Sequence, residues 1–276
     1  MAQFVAGRNW RGAIFPVIWA ISSKREETMN EKQPLSITGE ARTGRWLVTC
    51  DHARNTVPDW VGGGDLGIDA EDMARHIACD VGALGLSEAL AERLDSPMIA
   101  SDFSRLVIDP NRGEDDPTLV MKLYDGTIIP ANRHADAAEI ERRLDRLYRP
   151  YHAEYARLAA RRDDTVICAV HSFTPRLRGR PPRPWDVGIL HAPADPRLAY
   201  EMIAALEAEG DLCVGDNQPY LGHLEGDSID RHALADGRPN VLLELRNDLI
   251  ATPEQQAAWA DCLAPILTRV LEQSGL

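Results

Sequence analysis

The sequence predicts an α/β protein, a sheet with helices on both faces, and three observations predict it. Short apolar runs bounded by polar residues recur from about residue 40 onward. Between them lie segments whose apolar positions follow the helical period. The unusual polar residues cluster just after the strand runs, where ligands sit in such sheets.

Trp46–Cys50 is the first buried-strand run. From Asp69 to Leu94 the residues Met73, Ile77, Val81, Leu84, Leu86, Leu90 and Leu94 space as a helix. Pro97–Ser101 is the next strand, and a loop rich in Asp, Pro, Asn, Arg and Gly runs from Asp102 to about Pro117. Ala135–Arg162 reads as a long helix with a kink at Pro150. Thr165–Val170 is the most strand-like run and delivers His171 at its carboxyl end. After a basic, proline-rich loop (Pro175–Pro184) come a strand at Asp186–Leu190, a helix at Pro196–Glu209 and a short strand at Leu212–Gly215. Asn240–Leu245 is the last strand, and Pro253–Gln273 the last helix, with Thr252 as its N-cap. Residues 1–40 read as a flexible N-terminal extension, with Met29 as an alternative start, and 41–276 as a single catalytic α/β domain.

Composition narrows the function. A chain of 276 residues can bury a full core without disulfides or structural metal. A net charge of −13 argues against nucleic-acid binding and against docking on an anionic membrane. No apolar run reaches the length of a membrane span. The five cysteines are odd in number, widely spaced and without a CxxC pair, which fits free thiols in a reducing, cytoplasmic setting.

Polar clusters suggest the chemistry. Cys50-Asp51-His52-Ala53-Arg54-Asn55 follows the first strand, and His171-Ser172-Phe173-Thr174-Pro175 the most apolar one. Either histidine alone is equally explained as a loop residue capping a backbone group. Two at strand mouths suggest a zinc site of two histidines and a carboxylate, with a fourth position left for water. Glu244 sits inside the apolar run Val-Leu-Leu-Glu-Leu. A carboxylate is costly to bury there unless paired or metal-bound, and its raised pKa suits a general base. The Asp109-Pro110-Asn111-Arg112 segment, with Arg105 before it, offers a fork for a carboxylate. Asp216–Tyr220, with Asn217, is turn-prone and is equally read as a connection. His76 and Asp80 lie four apart on one side of the expected helix. A Cys50 thiol nucleophile lacks a clear base, and Ser172 lacks a Gly-x-Ser-x-Gly elbow.

Six of these segments, in order, resemble the N-formylglutamate amidohydrolase family: CDHARNTVP (50–58), RHIACDVGA (75–83), SRLVIDPNR (104–112), HSFTP (171–175), DNQPY (216–220) and LELRNDLI (243–250). The resemblance covers about residues 44–260 and implies a zinc-carboxypeptidase-like hydrolase, a phosphorylase/hydrolase-like three-layer α/β/α sandwich around a mixed, mostly parallel sheet. It implies one divalent metal, Zn2+, held by His52 and His171, with Glu244 as the catalytic carboxylate. Zinc carboxypeptidases take a glutamate three residues after the first histidine, and here that position is Asn55. The third ligand then comes from the start of the following helix, with Asp72 the first choice, Glu71 a lesser one and Asp80 the fallback. Asn111 and Arg112 are implied to hold a substrate carboxylate, Arg105 or Arg176 to steady the oxyanion, and Asn217 to bind substrate. The expected substrate is a small acidic N-acyl amino acid, most simply N-formyl-L-glutamate. The rivals are an amidase or carboxypeptidase acting on peptides or cell-wall fragments, and a homologue that binds an acyl amino acid without catalysis.

Overall fold

A computed structural model describes residues 33–276, so the expectations for a loose extension and for a start at Met29 fall largely outside the described residues. Seven strands form its main sheet: β1 (Leu35–Thr38), β2 (Trp46–Cys50), β3 (Met98–Ser101), β6 (Val166–Phe173), β7 (Val187–Leu190), β8 (Val214–Asp216) and β9 (Asn240–Arg246). Their order is β1-β3-β2-β6-β9-β7-β8. The pairs β3/β2, β2/β6, β6/β9 and β7/β8 are parallel, while β1 and β7 run antiparallel to β3 and β9. This is the mixed, mostly parallel sheet expected. Strand β1 lies ahead of the boundary expected at residue 41 and already pairs with β3.

Alternation along the buried strands splits the core in two. Val48, Cys168, Val170, Val241 and Leu243 face a layer built from α2 (Ala83–Arg93), α5 (Ala199–Glu207) and α7 (Pro253–Ser274). Leu47, Ile167, Ala169 and Leu242 face the opposite layer, which holds Tyr148, Tyr151, Tyr155 and Leu158. His171 and Glu244 keep the parity of Ala169 and Leu242, so both stand on this second face.

The periodic stretch at 69–94 is not one helix. A single turn, α1 (Ala70–Met73), capped by Asp69, is followed by turns up to α2. The break falls where the Asp80 amide donates to the His52 carbonyl (2.9 Å) and where Gly82 takes a left-handed φ of 82°. A Cβ on Gly82 would lie 2.2 Å from the Ile250 carbonyl oxygen, so only glycine fits. Ile77 is buried in the break itself, which is why apolar spacing ran through it.

The long helix expected at 135–162 forms as α3 (Ala137–Arg143), a π-helical turn (Leu144–Tyr148) and α4 (Arg149–Ala159). The irregular turn directly precedes Pro150, whose missing N–H forbids the regular bond there. A small hairpin, β4 (Leu123–Tyr124) with β5 (Thr127–Ile128), and a short helix, α6 (Ser228–His232), complete the surroundings of the site. Neither is marked by a strong pattern in the sequence, since the hairpin's strands are two residues each and the helix five.

Candidate active site

Parallel pairing places the two ends of the chemistry together. His171 on β6 is the register partner of Glu244 on β9. His52 follows β2, the strand on the other side of β6. Asp80, delivered by the turn before α2, lies between the two histidines: its Oδ2 is 3.2 Å from His52 Nδ1 and 2.9 Å from His171 Nδ1. The Ser172 amide also donates to Asp80 Oδ2, at 3.3 Å. His52, Asp80 and His171 are all buried, with potential ligand atoms within 4.8 Å of one another.

The outer nitrogens are also matched. His52 Nε2 lies 2.7 Å from Asp109 Oδ1, and His171 Nε2 lies 3.7 Å from Asp51 Oδ2. Asp109 is gripped in turn by Arg105, at 2.7 and 3.1 Å, and Asp51 accepts from the Tyr151 hydroxyl at 2.5 Å. Burial favours the neutral form of each of these acids, but the histidines and arginine override it. Asp51 is held down at about 2 by the nearby His171 imidazole, and Asp80 and Asp109 are held well below the usual range, by His52 and His171 and by Arg105 respectively. Burial alone would lower His171; the carboxylates of Asp51 and Asp80 beside it raise it instead.

Glu244 is different. It is 6% exposed, and its Oε2 has no hydrogen-bond partner among the described residues. Burial pushes its carboxyl up to about 7, against the opposing pull of His171. Across the sheet its register partner is Gly188, where any Cβ would come within 2.0 Å of the Gln218 carbonyl oxygen.

Two imidazoles and a carboxylate suit a divalent metal such as zinc, and a carboxylate behind each imidazole is the usual second support. The residues present therefore fit a metal centre, with a partnerless carboxylate beside it.

The site opens into a cavity of about 250 Å³ lined by His52, Asp80, His171 and Glu244 together with Arg105, Asn111, Arg112, His76, Tyr124 and Tyr220. Asn111 and Arg112 thus reach the cavity as expected from their segment. The Arg112 guanidinium bonds Thr118 Oγ1 and the Asn111 carbonyl, at 3.1 and 2.6 Å. Arg105 also lines it, already paired with Asp109. His76 and Asp80 both line the cavity, though from a turn and not from one helix face.

Three expected site residues lie elsewhere. Asp72 is 2.5 Å from Arg75 Nη1 and accepts from the Thr127 hydroxyl at 2.9 Å; Asp80 occupies the place between the histidines. Arg176 lines an adjoining open groove of about 640 Å³ and donates through Nε to the Arg180 carbonyl. Asn217, at a φ of 49°, accepts from the His191 amide at 2.9 Å and so shapes its turn. Asn55, the position that breaks the carboxypeptidase pattern, donates to the Met73 carbonyl.

The sheet and its buried cluster mark the chain as an α/β protein with a candidate hydrolytic metal centre. Residues 44–251 match the family model for N-formylglutamate amidohydrolase, and the chain belongs to that family of amide-bond hydrolases. It is similar to a gene product of Agrobacterium tumefaciens of known crystal structure, at 35% identity and a TM-score of 0.83, over 89% of this chain and 97% of that one. An N-formylglutamate amidohydrolase from Ralstonia eutropha shares the fold, at 23% identity and a TM-score of 0.62, over 88% and 98% of the two chains. No curated protein matches the chain. Among the described residues no helix is long and apolar enough to cross a membrane.

Proposed function

We propose that this protein is a metal-dependent amidohydrolase that cleaves the N-acyl bond of an acidic amino acid, most simply N-formyl-L-glutamate. The observation that carries the reading is the partnerless, buried Glu244 beside the His52–Asp80–His171 cluster. Those three residues would hold a divalent metal, Zn2+, which when bound acidifies water and polarises the scissile carbonyl.

The chain's own groups supply the rest. Glu244 takes a proton from the attacking water through its carboxylate and returns it to the leaving nitrogen. The water oxygen adds to the acyl carbon, the C–N bond breaks, and formate and glutamate leave. Arg105, fixed by Asp109, faces the charge that grows on the carbonyl oxygen. Arg112, braced by Asn111, holds one substrate carboxylate and fixes the acyl group near Glu244. A small cytoplasmic substrate completes the reading, in keeping with five free cysteines.

A second reading, an amidase on longer peptide-like substrates, draws on the open groove that adjoins the cavity and shares His76 with it. Both are tested by formate release from N-formyl-L-glutamate by metal-loaded protein. Metal-dependent release supports the first reading. Bound metal without release, but with cleavage of N-acyl peptides, supports the second.

A further inference from the structure

An acidic N-acyl amino acid carries two carboxylates, and Arg112 accounts for one of them. Arg105 is already spent on Asp109, and its Nη1 lies 3.5 Å from Asp80. His76 is kept neutral by burial, which pushes it down to about 4. His223 also lines the cavity, with its Nε2 3.2 Å from Asp230 Oδ1, and among the described residues no arginine besides Arg105 and Arg112 lines it.

A third arginine stands just behind the cavity wall. Tyr220 lines the cavity yet is 39% exposed, which places it at the rim. The Arg183 guanidinium lies 5.0 Å from the Tyr220 ring centroid and 5.7 Å from that of Phe173, the last residue of the strand carrying His171. Arg183 Nη1 donates to the Tyr220 hydroxyl and to the Thr174 carbonyl, both at 3.1 Å. Among the described residues Arg183 has no carboxylate partner within ion-pair distance, unlike Arg105. The Tyr220 oxygen accepts from Arg183, so its own proton is left to donate elsewhere.

We propose that Tyr220 and Arg183 form the subsite for the substrate's side-chain carboxylate. The Tyr220 hydroxyl donates to that carboxylate, and Arg183, stacked against two rings, positions the hydroxyl and supplies the compensating charge. Tyr220 touches the ligand; Arg183 acts through it. This subsite selects an anionic side chain over a neutral one of the same shape. The inference rests on the N-acyl amino acid reading above and adds the residues that select its acidic side chain.

The test compares N-formyl-L-glutamate with N-formyl-L-glutamine, which differ by one charge. Binding of each is measured by calorimetry on metal-loaded Glu244→Gln protein, alone and combined with Arg183→Met. The parent should bind the glutamate compound about 10- to 100-fold more tightly, the range for a charge-assisted bond. Arg183→Met should remove most of that margin and leave the glutamine compound within about twofold. Tyr220→Phe, which keeps the ring, should shrink the same margin and serves if Arg183→Met does not fold. A parent without a margin, a margin untouched by either variant, or equal losses for both compounds overturns the subsite. Failure of the amidohydrolase reading looks different: wild-type protein releases formate from neither compound, while the binding margin and its loss persist.

Discussion

His171 and Glu244 face each other as register partners on adjacent parallel strands, β6 and β9. Neighbouring strands lie about 4.8 Å apart, so the pairing fixes a candidate ligand and a candidate base by backbone geometry. No loop has to order for them to meet.

Glu244→Gln keeps the shape and removes the proton acceptor. Turnover should fall about 10²- to 10⁴-fold. Metal content by mass spectrometry and the circular dichroism spectrum should match wild type. Near-normal turnover in metal-loaded protein would remove Glu244 from the mechanism.

The two aspartates considered as third ligand make opposite predictions. Asp80→Asn should cut metal retained after dialysis to a small fraction, because Asp80 lies between both histidines. Asp72→Asn should retain metal, since its partners are Arg75 and Thr127. The reverse pattern would return the ligand role to Asp72.

Asp109 braces His52 from its outer nitrogen. Replacing it by Asn should weaken metal affinity about 10- to 100-fold, the usual effect of removing such a support. Competition with a chelator of known affinity measures this, and an unchanged constant rejects the bracing role.

The loop that carries Asn111 and Arg112 is held from behind. His152 Nε2 lies 3.0 Å from the Pro110 carbonyl, and its Nδ1 lies 2.8 Å from His232 Nε2. The Tyr148 hydroxyl donates to the Arg112 carbonyl at 2.5 Å. Burial pushes His152 down to about 3, so it is neutral and donates through Nε2. Arg112→Ala should raise KM about 10- to 100-fold with kcat little changed. His152→Leu should raise KM in the same direction, and His152→Gln, whose amide can donate from a similar place, should restore it. Equal damage by both His152 variants would point to packing alone.

Much of this was legible in the chain because it is local. A strand run ending in a polar residue marks a sheet mouth, and His52, His171 and Glu244 announce themselves that way. Asp109, Asn111 and Arg112 were visible as one segment. Asp80 was harder, since apolar spacing carried on through the turn that presents it, and its contacts to residues 28 and 91 positions away exist only in the folded chain. The supports behind the site were harder still. Tyr148, Tyr151 and His152 sit in and beside α4 and are core by burial. Only the sheet brings them to Asp51 and the Pro110 loop. Arg183 was one arginine in a basic loop, distinguished by two aromatic rings that arrive from elsewhere.

The turn that carries Asp80 has one more consequence. Its amide holds the end of β2 through the His52 carbonyl, while its carboxylate reaches the Ser172 amide in β6. The candidate ion-binding set is thus spread over three distant stretches, and no excised peptide contains it. Metal uptake should therefore report that these stretches have closed on one another, which makes a metal-sensitive signal a clock for the last stage of refolding.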